Sequence, residues 1–140
     1  MTPALLAGTA VAGGLGAATR FVLDGVLRTR FRGALPVATI LINLSGSFVL
    51  GLLTGLAAAA LLPDAIRAIA GTGFLGGYTT FSAASIETVR LAGARRPSLA
   101  AVNAVAVPLA AVLLAAAGLL LGGAWAPSHR HLPVTRPESA

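Results

Sequence analysis

Cysteine is missing from this 140-residue chain, so disulfides, thiolate metal sites and cysteine nucleophiles are all excluded. Lysine is missing as well, since all ten basic residues are arginines, and there are only four acidic residues. The two histidines, His129 and His131, have neither an acidic partner nor a metal-ligand spacing, so they predict neither catalysis nor zinc binding. The sequence also lacks paired carboxylates and a phosphate-binding loop, and we expect no enzymatic activity.

Charge is scarce, since only 10% of the residues are charged while 56% are hydrophobic. The mean hydropathy of +0.89 is far above that of a soluble domain and predicts an integral membrane protein. The net charge of +6 is carried by arginines between the apolar segments and near the carboxyl terminus. Basic residues in such loops orient membrane proteins, so the charge does not indicate a nucleic-acid partner.

Four apolar segments are each long enough to cross the ~30 Å of hydrocarbon in a bilayer, which takes about 20 helical residues. They cover residues 4–27, 36–62, 65–94 and 98–123. The pattern predicts an all-α membrane domain of four transmembrane helices over residues 1–124, followed by a disordered polar tail over residues 125–140. The amino terminus lacks the basic region of a signal peptide, so we expect the first segment to be retained.

The third segment is interrupted by polar and small residues between positions 71 and 87. It contains the glycines Gly71, Gly73, Gly76 and Gly77 and the hydroxyl residues Thr79, Thr80, Ser82 and Ser85. The glycines are expected to loosen the helix, and the hydroxyls lie at a depth where polar groups are costly. Unwound backbone persists there only where it lines a cavity or binds something, so we predict a helix that is broken at its middle. Asp64 is expected to cap the start of the segment.

Several other residues in the apolar segments are each open to two interpretations. Arg20 either snorkels to the interface or faces a water-filled vestibule. Asn43 either links two helices by hydrogen bonds or lines a pore as a donor. Glu87 faces either the protein interior or the headgroups. Phe81 either offers its positive ring edge to an anion or packs, and packing is the preferred interpretation of Phe48.

Hydroxyls, amides and aromatic edges at this depth, without an acidic residue among them, favour a small anion as the transported species. Such donors replace the water that the anion loses when it enters the membrane. A cation site or a proton relay would need the acidic group that is lacking. We expect selectivity for a small, strongly hydrated anion, and reduced flux without unfolding after Asn43→Leu or Phe81→Leu.

Three motifs occur along the chain. They are Gly-Gly-Leu-Gly-Ala-Ala-Thr-Arg at residues 13–20, Asn-Leu-Ser-Gly-Ser-Phe at 43–48 and Gly-Phe-Leu-Gly-Gly-Tyr-Thr-Thr-Phe-Ser at 73–82. The first is no dinucleotide fingerprint, since that motif needs a preceding strand, and small residues in a membrane helix favour close helix contact. In order and spacing the three motifs resemble the fluoride channel family called Fluc or CrcB, and they cover nearly the whole chain except its tail.

The resemblance implies a four-helix subunit that pairs with an inverted partner, the same chain or a paralogue, in an antiparallel dimer with two pores. It implies passive leakage of fluoride out of bacterial cells through the plasma membrane. Asn43, Phe81 and Ser82 would line the pore, and Arg20 is a candidate vestibule charge. A structural sodium ion, which is not transported, would be held at the dimer centre by the backbone carbonyls of Gly76 and Thr79.

The chain departs from the family pattern in two places. Ala83 and Ala84 follow the third motif where the family has Thr and Phe, so the second pore phenylalanine is missing. In the fourth segment, Ala104 and Pro108 stand where the family often has Tyr and Ser. A symmetric dimer would carry these losses in both pores, so they favour a different, inverted partner that keeps one pore intact.

The distribution of arginine also predicts the orientation of the chain in the membrane. The first and third loops carry Arg28, Arg30, Arg32, Arg95 and Arg96. We expect these loops in the cytoplasm and both termini outside, because basic residues are retained on the cytoplasmic side. A chain that inserts in both orientations would be expected to balance its basic residues.

Two other functions compete with the fluoride channel. A four-helix exporter of the small multidrug-resistance type has a similar length, but it needs a membrane-embedded carboxylate in its first helix, and Asp24 lies too near the loop. A non-conducting subunit, with no pore of its own, is consistent with Ala84 and Pro108.

Overall fold

The computed structural model describes residues 2–125, which are mostly helical and contain no β-strand. Helix α1 covers Pro3–Arg30, α2 covers Val37–Ala58, α3 covers residues 64–78, α4 covers Phe81–Gly93 and α5 covers Pro97–Gly123. Helices α1, α2 and α5 are long and apolar enough to cross a membrane. Residues 126–140, with both histidines and nearly all of the predicted tail, lie outside the described part of the chain.

Helix α1 has local stabilising interactions at both ends. The Thr2 hydroxyl accepts a hydrogen bond from the Leu5 N–H at 3.3 Å, and Pro3 occupies the first turn, where its missing N–H is not needed. The helix continues three residues beyond its predicted end at residue 27. Arg28 pairs there with Asp24 one turn earlier, with an N to O distance of 2.7 Å, and basic residues suit the carboxyl end of a helix.

Helix α3 changes character along its length. It begins as a turn at Asp64–Arg67, widens into a π-helix over Ala68–Leu75 and closes with Gly76–Tyr78. Thr79 and Thr80 are extended and separate α3 from α4. The helix is therefore interrupted inside the stretch where the sequence predicts a break.

The glycines of α3 lie within the helix and not at the interruption itself: Gly71 and Gly73 lie in its widened π-helical part, and Gly76 and Gly77 in its last turn. No glycine within residues 2–125 has a positive φ, and the helix runs through all four glycines of the stretch. Gly73 and Gly77 instead let α1 approach closely. A methyl group at Gly73 would crowd the carbonyl oxygen of Thr9, and one at Gly77 would collide with that of Gly13.

The predicted cap at Asp64 is wrong. The cap position is Pro63, and no side chain caps this end of α3. Asp64 lies one residue inside the helix and pairs with Arg67, with an N to O distance of 3.5 Å. Its carboxylate near the amino end of the helix still suits the helix dipole.

Helices α2 and α5 cross with their backbones in contact. The crossing depends on four glycines at four-residue spacing, Gly51 and Gly55 on α2 and Gly118 and Gly122 on α5. A methyl group at Gly51 would collide with the Ala115 carbonyl, and one at Gly118 would collide with the Phe48 carbonyl. Such small residues allow the close packing that drives helix association in lipid. The crossing fixes α5 against the helix that carries Asn43.

Pro108 disturbs α5, and the disturbance takes the form of a widened turn. Residues Val102–Ala106, which end two residues before the proline, are π-helical. Proline has no N–H for the carbonyl four residues earlier, so the preceding turn must accommodate a carbonyl without its usual partner. Asn103 lies in this wide turn and is buried.

Candidate functional site

Asn43 of α2 binds the extended backbone at the interruption. Its side-chain N–H donates to the Thr80 carbonyl oxygen at 2.9 Å, and its side-chain oxygen accepts from the Thr80 N–H at 2.8 Å. This pair of bonds, the Asn43–Thr80 clasp, replaces the helical partners that the extended peptide lacks. One N–H of the Asn43 amide remains for another acceptor. Asn43 thus acts as a link between helices and still has a donor to offer.

The side chain of Thr80 starts helix α4. Its hydroxyl accepts a hydrogen bond from the Ala83 N–H at 3.4 Å and lies 3.1 Å from the Ser82 hydroxyl. Threonine at this position satisfies one of the free N–H groups at the start of a helix. The backbone of Thr80, which forms the clasp, and its side chain, which forms the cap, therefore define where the interruption ends.

A groove with a volume of about 240 Å³, the break groove, opens where α2, α4 and α5 meet the interruption. Its polar lining residues are Asn43, Ser47, Thr79, Thr80 and Asn103, and its apolar ones are Phe81, Ala84, Val107, Pro108 and Ala111. None of these side chains is acidic. The structure thus brings Asn43 and Phe81 together, whereas Ser82 is exposed outside the groove. The Phe81 side chain is 80% exposed, so its ring is accessible.

Asn103 lines the break groove but has no donor to spare. Its side-chain nitrogen donates to the Ala84 carbonyl oxygen at 3.0 Å and to the Thr88 hydroxyl at 2.8 Å. These two bonds use both hydrogens of the amide. Asn103 therefore fixes α5 against α4, and the N–H donors of the groove come from Asn43 and the backbone.

The carbonyl oxygens of Gly76 and Thr79 accept no hydrogen bond within residues 2–125. The Thr80 N–H, which a continuous helix would offer to Gly76, is taken by Asn43. Unpaired carbonyls need a cation or a donor from elsewhere, because lipid provides neither. A methyl group at Gly76 would meet nothing within 4 Å, so the space beside this residue is open. Since the described chain has no cluster of three acidic, His or Cys side chains, backbone oxygens are the ligands that this region offers.

A second polar cluster, at Glu87 of α4, was not predicted from the sequence. Glu87 is 7% exposed, and its Oε1 accepts from Arg28 Nη2 at 2.6 Å and from the Thr39 hydroxyl at 3.1 Å. Glu87 thus faces the interior, which decides between its two interpretations. Arg28 and Glu87 are 59 residues apart, so no local pattern shows the pair. The only signal is that a charge within an apolar segment needs a partner.

The ion pairs of Arg28 argue against a multidrug exporter. Such a protein needs a carboxylate that can bind a cationic substrate. Asp24 and Glu87, the two acidic residues on α1 and α4, both bind Arg28 instead. The structure thus provides no free carboxylate pair on these helices for a cationic substrate.

Arg20 lies on α1 and does not line the break groove. The residue is half-buried, and its Nε is buried without a hydrogen-bond partner among residues 2–125. A buried guanidinium nitrogen without an acceptor is costly, so the position calls for an acceptor from outside this subunit, such as water, lipid or a neighbouring chain.

Comparison with known proteins shows which family this sequence resembles. The sequence profile of the family described as CrcB-like protein, Camphor Resistance (CrcB), matches residues 7–119. A protein named Fluoride-specific ion channel FluC 1, from Leifsonia xyli subsp. xyli, is 54% identical over 123 residues, which cover 88% of this chain and 90% of that protein. Fluoride-specific ion channel FluC 2 of Cutibacterium acnes is 43% identical over 113 residues, covering 80% and 92%. The FluC 2 protein of Mycobacterium tuberculosis is 38% identical over 122 residues, covering 87% and 90%.

Apolar helices, an interrupted segment held by a carboxamide and an acid-free groove together define a helical membrane protein with a polar site inside its membrane region. The chain belongs to the CrcB-like family. The family that the three motifs predict is therefore confirmed.

Proposed function

We propose that this chain is a subunit of a fluoride-specific channel in the bacterial plasma membrane, through which fluoride leaves the cell passively and its cytoplasmic concentration falls. The break groove carries the proposal, because it combines hydroxyl and amide groups with an exposed aromatic ring and has no carboxylate in its lining. The relatives named as fluoride-specific channels support the same function.

The groove supplies donors of the kind that a dehydrated fluoride ion needs. They are the remaining N–H of Asn43 and the hydroxyls of Ser47 and Thr80, beside the edge of Phe81. Because the Asn43–Thr80 clasp fixes the peptide, these groups need little reorganisation when the ion enters. Chloride is larger and differs from fluoride in its hydration and coordination geometry, so a donor set fixed for the small ion suits it less well.

The proposed subunit crosses the membrane four times, with α3 and α4 together forming the third crossing. At 1.5 Å per residue, α3 and α4 are ~22 Å and ~20 Å long, so neither spans ~30 Å of hydrocarbon alone. Joined across Thr79 and Thr80 they are long enough. The open faces at Phe81 and Gly76 suit contact with a second, antiparallel subunit, either the same chain or a paralogue.

A sodium ion fits the unpaired carbonyls of Gly76 and Thr79. Two oxygens are too few for this cation, but an inverted second copy would double the set to four, all without charge. Interrupted membrane helices use such carbonyls to bind sodium. When bound, the ion would satisfy the carbonyls and fix the two interrupted helices to each other.

Fluoride efflux from liposomes that contain the purified chain alone tests the channel. We expect fluoride flux with little chloride flux, and a large loss of flux in Phe81→Leu. Phe21→Leu is the matched control, because Phe21 is 77% exposed on α1 and does not line the groove. Equal fluoride and chloride fluxes, or equal losses in the two variants, would contradict the proposal.

A second candidate function is that of a non-conducting or partly degenerate partner in a heterodimeric fluoride channel. It is favoured by the apolar wall that Ala84 and Pro108 give the groove, and by the full use of both Asn103 hydrogens. The test expresses the chain alone, labels its carboxyl tail from outside the cell and measures flux. A single orientation without homomeric flux supports this candidate, and mixed orientation with full activity refutes it.

A further inference from the structure

Another cavity lies away from the break groove, at the end of the subunit that carries the first and third loops. It has a volume of about 550 Å³, and we call it the loop cavity. Its walls come from the end of α1, the first loop, the start of α2, the end of α4 and the third loop. The proposed fluoride function makes no use of it.

The loop cavity has a strongly basic rim. Four arginines line it, Arg28, Arg32, Arg90 and Arg96, together with a single acid, Glu87. Arg28 already neutralises Glu87 at 2.6 Å. The other three arginines form no ion pair within the described chain. An arginine fork matches the oxygens of a phosphate group and can bind two of them at once.

The other side chains that line the cavity are apolar, and this favours a lipid over a free anion as the ligand. Phe31, Leu35, Val37 and Leu91 line the cavity together with the arginines. A fluoride ion or free inorganic phosphate is hydrophilic throughout and gains nothing from such a wall. A phospholipid has an anionic headgroup joined to acyl chains, so it matches both the basic rim and the apolar wall.

The position of the cavity agrees with a lipid ligand. It lies where α1 ends at Arg30, α2 begins at Val37 and α4 ends at Gly93, which is the headgroup level if these helices span the bilayer. The proposed orientation places these arginine-rich loops in the cytoplasm, and the cytoplasmic leaflet is the one that attracts basic segments through its anionic lipids.

We propose that the loop cavity binds the phosphate headgroup of an anionic phospholipid, with Arg32, Arg90 and Arg96 as the headgroup ligands and the apolar wall as the seat of an acyl chain. Arg28 pairs with Oε1 of Glu87, the only acidic residue that lines the cavity, and so offsets part of its negative charge. The inference does not depend on fluoride conduction, since the site lies outside the break groove.

Native mass spectrometry of the purified full-length protein tests this site with two probes, phosphatidylglycerol and phosphatidylcholine. We expect the wild type to retain phosphatidylglycerol in preference to phosphatidylcholine. In the double variant Arg32→Gln/Arg96→Gln the apparent affinity for phosphatidylglycerol should fall about 25-fold, on a scale of about fivefold per arginine. The matched control is Arg30→Gln/Arg95→Gln, which removes the same charge from the same loops but from residues that do not line the cavity.

The control distinguishes a specific binding site from general attraction between a basic protein and an acidic lipid. Equal losses in the two double variants, or equal retention of the two lipids by the wild type, would overturn the proposal. Displacement of phosphatidylglycerol by millimolar inorganic phosphate would also overturn it, in favour of a free-anion site. If the double variant does not fold, Arg32→Gln and Arg96→Gln are measured singly, and each should lower the affinity about fivefold.

Discussion

The crossing of α2 and α5 and the interruption between α3 and α4 both place backbone groups close to another helix, but by opposite means. At the crossing, both helices keep their own hydrogen bonds, and glycines let the two backbones touch. At the interruption, helical hydrogen bonds are lost and the side chain of Asn43 replaces them. Close approach and hydrogen-bond satisfaction are separate problems in lipid, and this chain solves them with different residues.

The difference also shows which residues indicate function. Glycines are frequent in the chain, yet those at the helix crossings have a packing role and none within the described residues needs an unusual φ. Amide side chains are few, and both Asn43 and Asn103 bind backbone carbonyls next to the break groove. In this protein an amide side chain is therefore a better marker of the site than a glycine.

The largest expected effect is a loss of stability when the α2–α5 crossing is disturbed. Gly51→Ala should lower the free energy of unfolding by about 3 kcal/mol, because the new methyl group collides with the Ala115 backbone, which has no rotamer to change. Unfolding in detergent followed by circular dichroism measures this. Gly25→Ala is the control, since its methyl group meets nothing within 4 Å. It should leave stability unchanged or raise it by up to ~1 kcal/mol. Equal stability of the two variants would mean that the crossing is looser than described.

A somewhat smaller effect is expected at the interruption. Asn43→Leu leaves the Thr80 N–H and carbonyl unpaired and should cost about 2 kcal/mol of stability, together with loss of flux. The structure thus adds a loss of stability to the expectation that this variant reduces flux without unfolding the protein. Amide hydrogen exchange should become faster at Thr80.

Ser47→Ala provides the contrast, because Ser47 lines the same groove and is not part of the clasp. It should reduce flux while changing stability by less than about 0.5 kcal/mol. If Asn43→Leu is as stable as Ser47→Ala, the clasp does not hold the interruption and Asn43 acts on the ion alone.

Much of the helical framework could be predicted from the sequence, because hydropathy and helix capping are local properties. The first helix is predicted over residues 4–27 and observed as Pro3–Arg30. The interruption is predicted within residues 71–87 but without the position of Thr79 and Thr80. Its cause was not predictable, since it depends on Asn43, which lies 37 residues away from Thr80.

The charges of the candidate site show the same limit. A buried Glu87 requires a partner by a general rule, but the rule does not name Arg28, which is 59 residues away. The Asp64 cap was mispredicted because the chain before α3 turns at Pro63, which leaves Asp64 inside the helix. Pairing across helices depends on how they pack, and packing is not encoded in any one segment.

The last prediction concerns the proposed sodium ion and has the smallest expected effect. Carbonyls at the α2–α5 crossing are used within their helices, whereas those of Gly76 and Thr79 are unpaired in the described chain. Replacing sodium with N-methylglucamine at equal ionic strength should therefore lower the Tm. The free energy of unfolding should fall by about 1.4 kcal/mol if sodium was present at ten times its Kd.

Two variants test whether backbone carbonyls cause the sodium-dependent shift in Tm. Thr79→Ala keeps the carbonyl and loses only a hydroxyl that is bonded to the Leu75 carbonyl at 2.9 Å, so the sodium-dependent shift should persist. Gly76→Leu adds a Cβ that meets nothing within 4 Å in one subunit, and its longer side chain would occupy the space where the proposed second subunit would meet the ion. The shift should disappear in that variant while the helical content is kept. Two results would show that these carbonyls are satisfied by another group. One is a wild-type Tm that does not change when sodium is removed. The other is a sodium-dependent Tm shift that is lost in Thr79→Ala and kept in Gly76→Leu.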